Sequence, residues 1–377
     1  MIPRILRKIF GRKTTEAPEG LGVPDVALPE GFALVHATEK LSAWRQASSD
    51  PTNDLFAFNP PNVVSLVGMP LWQELQENLD LVQYQRLVID ERWDEIVGYA
   101  YCVPFFCPGL AMVLDCAATD APLRPVDLVR RWAVFGLPDG GLGTMLFRGV
   151  RQAFARSGKA AMAKHAPWTE DQTQELATGI ATLSQTPNAL CGIHVAVKPG
   201  FHHQGIAEVL LDSFKSIARE RDLATVVFPV SLTNRSLFDT SFREYFHWSK
   251  DNPYRSNLSW LVDDTPHQRM DRNGKPVMPF DPWLRTHLER GGNLVKVASH
   301  SMQTSLPVDK WMPFMKKAYK YSQPNDAAYP WQADGDVDGS KLDGISPAPG
   351  LPEPLKWNQD KKLLEYKDKD VWILHGV

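Results

Sequence analysis

The sequence predicts an α/β fold built on one mixed sheet, partly antiparallel and partly parallel, and three stretches predict it. Residues 84–90 and 95–103 alternate apolar and polar side chains on either side of a charged turn at 91–94, the pattern of an antiparallel hairpin. Residues 192–230 read as strand, glycine turn, amphipathic helix and strand, a crossover unit whose two strands pair in parallel. Two later apolar runs, 293–298 and 370–375, add strands after an aromatic and proline-rich stretch that begins beyond Lys250.

Element by element, residues 32–36 form a first strand and 41–46 a short helix, followed by a helix over 71–79 and the 84–103 hairpin. Helical periodicity returns at 126–133, 145–156 and 170–183, with a turn-like glycine run, Gly140-Gly141-Leu142-Gly143, before the second of these. In the crossover unit, 192–197 is the first strand and 198–207 the turn. Ala207, Leu210, Leu211, Phe214 and Ala218 then make one apolar stripe, with Asp212, Lys215, Arg219 and Glu220 turned away from it. Residues 225–230 return as a buried strand. A helix from the Pro282 region to about Arg290 precedes the 293–298 strand, 320–356 is a long loop, and the chain contains no internal repeat.

The chain divides into a basic tail and linker (1–30), a core over 31–250 with an insertion around 104–190, and an extension over 251–377 that packs on the core. Met1 to Lys13 carries five cations, no acid and apolar residues at helical spacing. It reads first as a frayed chain end, and the alternative is a helix docking on a membrane surface or a partner.

Composition excludes several classes of function. Among 377 residues 43% are hydrophobic, yet no apolar run approaches the ~18 residues of a membrane span, so an integral membrane protein is excluded. Lys+Arg 41 against Asp+Glu 44 gives a net charge of −3, too balanced for nucleic-acid binding to be the main activity. Four scattered cysteines make neither a disulfide scaffold nor a zinc site, and read as reduced thiols of a cytoplasmic protein. Asp334 to Gly339 imitates the start of a calcium loop but has Ile345 where the bidentate glutamate belongs, and His202-His203 alone makes no metal site, so no metal is expected. The 310–321 run mixes cations with aromatics as a helix face does. Gly140 to Gly143 lacks the lysine of a phosphate loop and reads as a plain turn.

Chemistry is concentrated at 197–207. A helix start leaves its first N–H groups unpaired and carries partial positive charge, so a turn free of bulky side chains there can cradle a pyrophosphate. Gly205 and Ala207 keep the backbone of that turn approachable, with the amides of His203, Gln204, Gly205, Ile206 and Ala207 near one another. The same glycine would also serve a purely structural strand-to-helix turn.

The segment Val197-Lys-Pro-Gly-Phe-His-His-Gln-Gly-Ile-Ala207 resembles motif A of the GNAT superfamily, the acetyl-CoA-dependent acyltransferases. Val197, Pro199, Phe201, Gln204, Gly205 and Ala207 match the family pattern, and His202 replaces its usual Arg or Gln. Residues 280–375 are also similar to the C-terminal part of a group of large bacterial GNAT-like proteins. The resemblance implies a sheet splayed between 195–197 and 226–230, acetyl-CoA or another acyl-CoA as co-substrate, backbone groups of Val195 and Val197 on the pantetheine arm, and the pyrophosphate on 202–207. It also places Asn234 on the cofactor arm and Tyr245 beside the leaving thiolate.

His194 sits on the strand bordering that cleft and is a candidate base, its unperturbed pKa being suited to neutral pH. Strand alternation puts it on the face opposite Val195 and Val197, where a hydrogen-bonded core histidine is the other reading. Asn234 can equally cap a helix and Tyr245 can be ordinary core. The expected function is N-acetyl transfer to an amine by direct attack. The alternatives are thioester S-acyl transfer or decarboxylation with a carrier-protein thiol, and a non-catalytic acyl-CoA-binding module.

Overall fold

The computed structural model describes residues 27–49, 53, 55, 70–110, 137–157, 185–232, 258–262, 265–268, 281–322, 338–347 and 353–377. The helices expected at 126–133 and 170–183, the basic tail, Asn234 and Tyr245 lie outside them.

The first strand, β1 (Phe32–His36), leads through a single 3-10 turn into α1 (Leu41–Ser49), which runs three residues past the expected end. The helix expected over 71–79 is divided into α2 (Pro70–Glu77) and α3 (Leu79–Val82). Asn78 causes the break, because its side-chain oxygen caps α3 by accepting the Asp80 N–H at 3.1 Å. Next come β2 (Arg86–Asp90), β3 (Glu95–Phe105) and α4 (Gly141–Arg156). The glycine run read as a turn is therefore the first turn of α4. Ser301 supplies the missing cap from far along the chain, its Oγ accepting the Leu142 N–H at 2.8 Å.

The crossover follows as β4 (Ala189–Val197), α5 (Ile206–Glu220) and β5 (Thr225–Ser231). A separate hairpin, β6 (Leu258–Val262) with β7 (Thr265–Gln268), precedes α6 (Pro282–Glu289). The chain then runs through β8 (Gly292–Leu306), α7 (Val308–Ser322), β9 (Lys356–Asn358) and β10 (Leu363–Gly376). Both β8 and β10 far exceed their expected lengths. Their outer halves extend because they pair with each other.

The main sheet has the order β1-β2-β3-β4-β5-β10-β8, with β9 added on β10. Within it only β4 and β5 are parallel. Two cores cover its faces. On one, Trp44, Trp72, Leu75, Met145, Phe147 and Val150 of α1, α2 and α4 pack on Tyr99, Tyr101, Val103 and Trp372. On the other, Ile206, Leu210, Leu211, Phe214 and Ile217 of α5, with Leu284 and Leu288 of α6, pack on Val97, Ala100, Leu190, Val226 and Ile373. The α5 stripe thus starts at Ile206, 1% exposed, rather than at Ala207, which is half-buried at the helix mouth. A third, smaller core joins Trp311 and Met315 of α7 to Leu364 and Tyr366. No helix among the described residues is long and apolar enough to cross a membrane.

Candidate functional site

Strands β4 and β5 part almost as soon as they meet. Leu190 pairs with Val226 and Cys191 with Val227, and no pair follows, although β4 continues to Val197 and β5 to Ser231. The open walls are therefore 192–197 and 228–231. Val226 and Val227, expected on the cleft, belong to its closed end.

A β-bulge accompanies the parting. Tyr101 of β3 pairs with His194 and Cys102 with Gly192, leaving Ile193 as the extra residue on β4. A bulge bends its strand, and here it turns the second half of β4 away from β5 while β3 stays paired with it. It also places Ile193 and His194 on one face. Ile193 joins the α4-side core, and the His194 ring lies 5.5 Å from Tyr99 and 6.1 Å from Trp72 on that side. Val195 and Val197 pack on the α5 side, so the alternation expected for His194 holds at that point.

Gly192 stands at the fork. A Cβ there would lie 2.1 Å from Cε1 of Phe228 across the opening. Gly192→Ala is expected to destabilise the fold by about 1–3 kcal/mol through overpacking. Gly200→Ala, whose Cβ would meet nothing within 4 Å, should be near neutral. Chemical denaturation of the two variants checks the contrast.

The turn between β4 and α5 has the backbone that an anion cradle needs. Pro199–Phe201 form a single 3-10 turn, His203 takes φ 63° and Gly205 takes φ 78°, both left-handed. Gly205 is the residue that caps α5, and it offers no side chain to the helix amides. The first N–H groups of α5 therefore point out of the helix without a capping side chain, where the helix dipole favours negative charge. The turn is held from outside. The Phe201 ring packs edge-on to Phe32 at 5.8 Å, Lys198 is ion-paired with Glu95, and the Lys198 N–H donates to Val97 O at 2.8 Å.

His202, the departure from the family pattern, has a structural task. Its Nε2 lies 2.9 Å from the Val197 carbonyl, which can only accept, so Nε2 carries the hydrogen and ties the turn back to the end of β4. His203 and Gln204 are exposed.

His194 differs from its expected state. Its Nδ1 is buried without a hydrogen-bond partner among the described residues, and burial pushes its pKa from 6.5 down to about 4. The ring is neutral at neutral pH. It can accept a proton but does not hold one at rest.

One group on this face had no signal in the sequence. Asp370 of β10 lies opposite Ser231 at the tip of β5 and accepts hydrogen bonds from Ser231 and Ser301. These residues are far apart in the chain, and neither serine sits in a motif.

No family model matches the chain. It is 22% identical over 358 residues to arginine N-acetyltransferase avaD of Aspergillus versicolor, covering 93% of this chain and 96% of that protein. Among solved structures it is similar to the loading GNATL domain of CurA from Lyngbya majuscula, with TM-score 0.35, 13% identity and coverage of 71% of this chain and 87% of that one. It is also similar to the GphF GNAT-like decarboxylase in complex with isobutyryl-CoA, with TM-score 0.33, 12% identity and coverage of 92% and 98%. The segment that resembles motif A thus lies at the mouth of a splayed parallel strand pair, and the chain is similar to an N-acetyltransferase over nearly the whole of both chains.

Proposed function

We propose that the protein transfers an acetyl group from acetyl-CoA to a primary amine by direct attack of the amine on the thioester. The observation that carries this reading is the β4–β5 parting with the uncapped start of α5 at its mouth. In this reading the pyrophosphate rests on the amides of 202–207. The pantetheine arm runs along the free edge of β4, pairing with backbone groups of Val195 and Val197, and Asn234 is the residue that contacts it as the family resemblance implies. That path brings the thioester to the bulge at Ile193, where free β4 amides polarise its carbonyl. His194 accepts the proton of the attacking amine and Tyr245 donates to the departing thiolate. Residues 31–250 form the catalytic core, and 251–377 the extension that contributes β8 and β10 to its sheet.

The acceptor is a primary amine, and the similarity to an arginine N-acetyltransferase makes L-arginine the first to try. Release of CoA thiol from acetyl-CoA, followed with L-arginine and a panel of other primary amines, tests the reading. Turnover with amines supports it. Release of CO2 from malonyl-CoA, or acyl transfer to a carrier-protein thiol without amine turnover, replaces it. His194→Gln is expected to lower kcat by about a hundredfold, the scale of a lost general base, with the response to acetyl-CoA retained. An unchanged kcat removes His194 from the reaction.

A further inference from the structure

We propose that Ser231 holds the acceptor amine, with the Asp370 carboxylate behind it as a positioning residue; the inference rests on the acyltransfer reading above and names the part of the site that takes the second substrate. Along β5, Val226, Phe228 and Val230 belong to the α5-side core and Val227 to the other. Alternation therefore turns Ser231 toward the face that carries His194. Helix α5 and the anion cradle occupy the opposite face, so a cofactor seated there leaves the His194 face as the approach for the acceptor. Ser231 lies four residues beyond Val227, the last β5 residue paired with β4, and it is half-buried in the open wall.

Behind Ser231 lies a buried carboxyl group. Asp370 is 1% exposed and sits opposite Ser231 in register on β10. The Ser231 hydroxyl donates to Oδ1 at 2.6 Å, and the Ser301 hydroxyl donates to Oδ2. Ser301 has no freedom to do otherwise. Its oxygen already accepts the Leu142 N–H at 2.8 Å, so its hydrogen goes to the carboxylate. Two hydroxyl donors, one of them backed by the positive end of α4, favour the ionised form against the burial that raises its pKa. No lysine or arginine among the described residues forms an ion pair with Asp370.

A buried carboxylate without a cation is costly unless something positive is brought to it. With its hydrogen committed to Asp370, the Ser231 oxygen presents lone pairs outward and negative charge lies directly behind them, an arrangement complementary to an ammonium. The unpartnered Nδ1 of His194 is a second polar atom on the same face. The occupant is a protonated primary amine, held by hydrogen bonds before it loses its proton.

The test compares Ser231→Ala, Ser231→Thr and Asp370→Asn by steady-state kinetics, using L-arginine or, if another amine of the panel is turned over faster, that amine. Acetyl-CoA binding is read separately as a thermal shift. Ser231→Ala is expected to raise the acceptor KM about tenfold or more, the scale of a lost hydrogen bond to a charged group, with kcat within about threefold and the acetyl-CoA shift unchanged. Ser231→Thr, which restores the hydroxyl, should keep KM within about twofold of wild type. Asp370→Asn should raise KM as Ser231→Ala does, and the double variant should add nothing. If Asp370→Asn does not fold, the Ser231 pair decides alone. An acceptor KM unchanged in Ser231→Ala, or an equal loss in Ser231→Thr, overturns the inference and leaves the acyltransfer reading standing. A wild type that turns over no amine overturns both.

Discussion

Thermal stability is expected to fall steeply as the pH drops from 6.5 toward 4, because three histidines are buried in the neutral form. Burial holds His194 at about 4. Burial, with a smaller contribution from the Lys215 cation, holds His287 at about 3. Burial, with His287 and Lys215 adding to it, holds His375 well below its ordinary value. The last two face each other between α6 and β10, Nδ1 of His287 lying 3.0 Å from Nε2 of His375, with Phe228 packed edge-on to both rings. In the unfolded chain each imidazole takes up a proton near 6.5, while in the fold it takes one up only at much lower pH. Their stabilisation is therefore fully present above 6.5 and is lost as the pH falls through that window.

For His194 alone the difference amounts to about 3 kcal/mol, and His287 and His375 add to it in the same sense. Domains of this kind have about 5–15 kcal/mol in hand, so acid unfolding is expected near pH 5. Asp370 works in the opposite sense, since a carboxyl whose pKa is raised in the fold favours the folded state on protonation, but it is one group against three. Melting temperature measured from pH 7 to pH 4 checks the expectation, and His287→Leu should make the fall with pH shallower. A melting temperature independent of pH across this range would show that the imidazoles are solvated.

The parts of the molecule that were legible in the sequence are those set by local rules. The 84–103 hairpin alternates with period two, the α5 stripe repeats with the helical period, and Gly205 marks the one position where the turn requires φ 78°. What stayed hidden depends on contacts between distant segments. The bulge at Ile193 is a property of the β3–β4 pair, and nothing in the residues 189–197 alone distinguishes a bulged strand from a regular one. Ser231 and Asp370 are 139 residues apart, and their pairing follows from the antiparallel placement of β10 beside β5. The start of α4 misled for the same reason, because a glycine run with no local cap reads as a turn until Ser301 is brought to it. His194 shows the limit for chemistry: its identity suggested a base tuned to neutral pH, and only its burial reveals a ring that stays neutral down to about 4.

Gly205→Glu is expected to abolish stabilisation by acetyl-CoA. It places a bulky negative charge where the α5 amides converge, and it forces a side chain into the left-handed backbone at φ 78°. The second effect costs about 1–2 kcal/mol in the absence of any ligand. Ala207→Glu separates the two effects, because the half-buried Ala207 lies inside α5, where a glutamate is free of backbone strain and favours the helix dipole. It should fold as well as wild type and still exclude the pyrophosphate.

The most direct measurement is therefore thermal unfolding of wild type, Gly205→Glu and Ala207→Glu, each with and without acetyl-CoA at about 100 times its Kd for wild type. About 2.7 kcal/mol of added stability is expected for wild type, seen as a clear rise in midpoint, with no shift for either variant. A wild type that is not stabilised by acetyl-CoA, malonyl-CoA or longer acyl-CoAs, or variants stabilised as much as wild type, would contradict an acyl-CoA site at the β4–α5 turn.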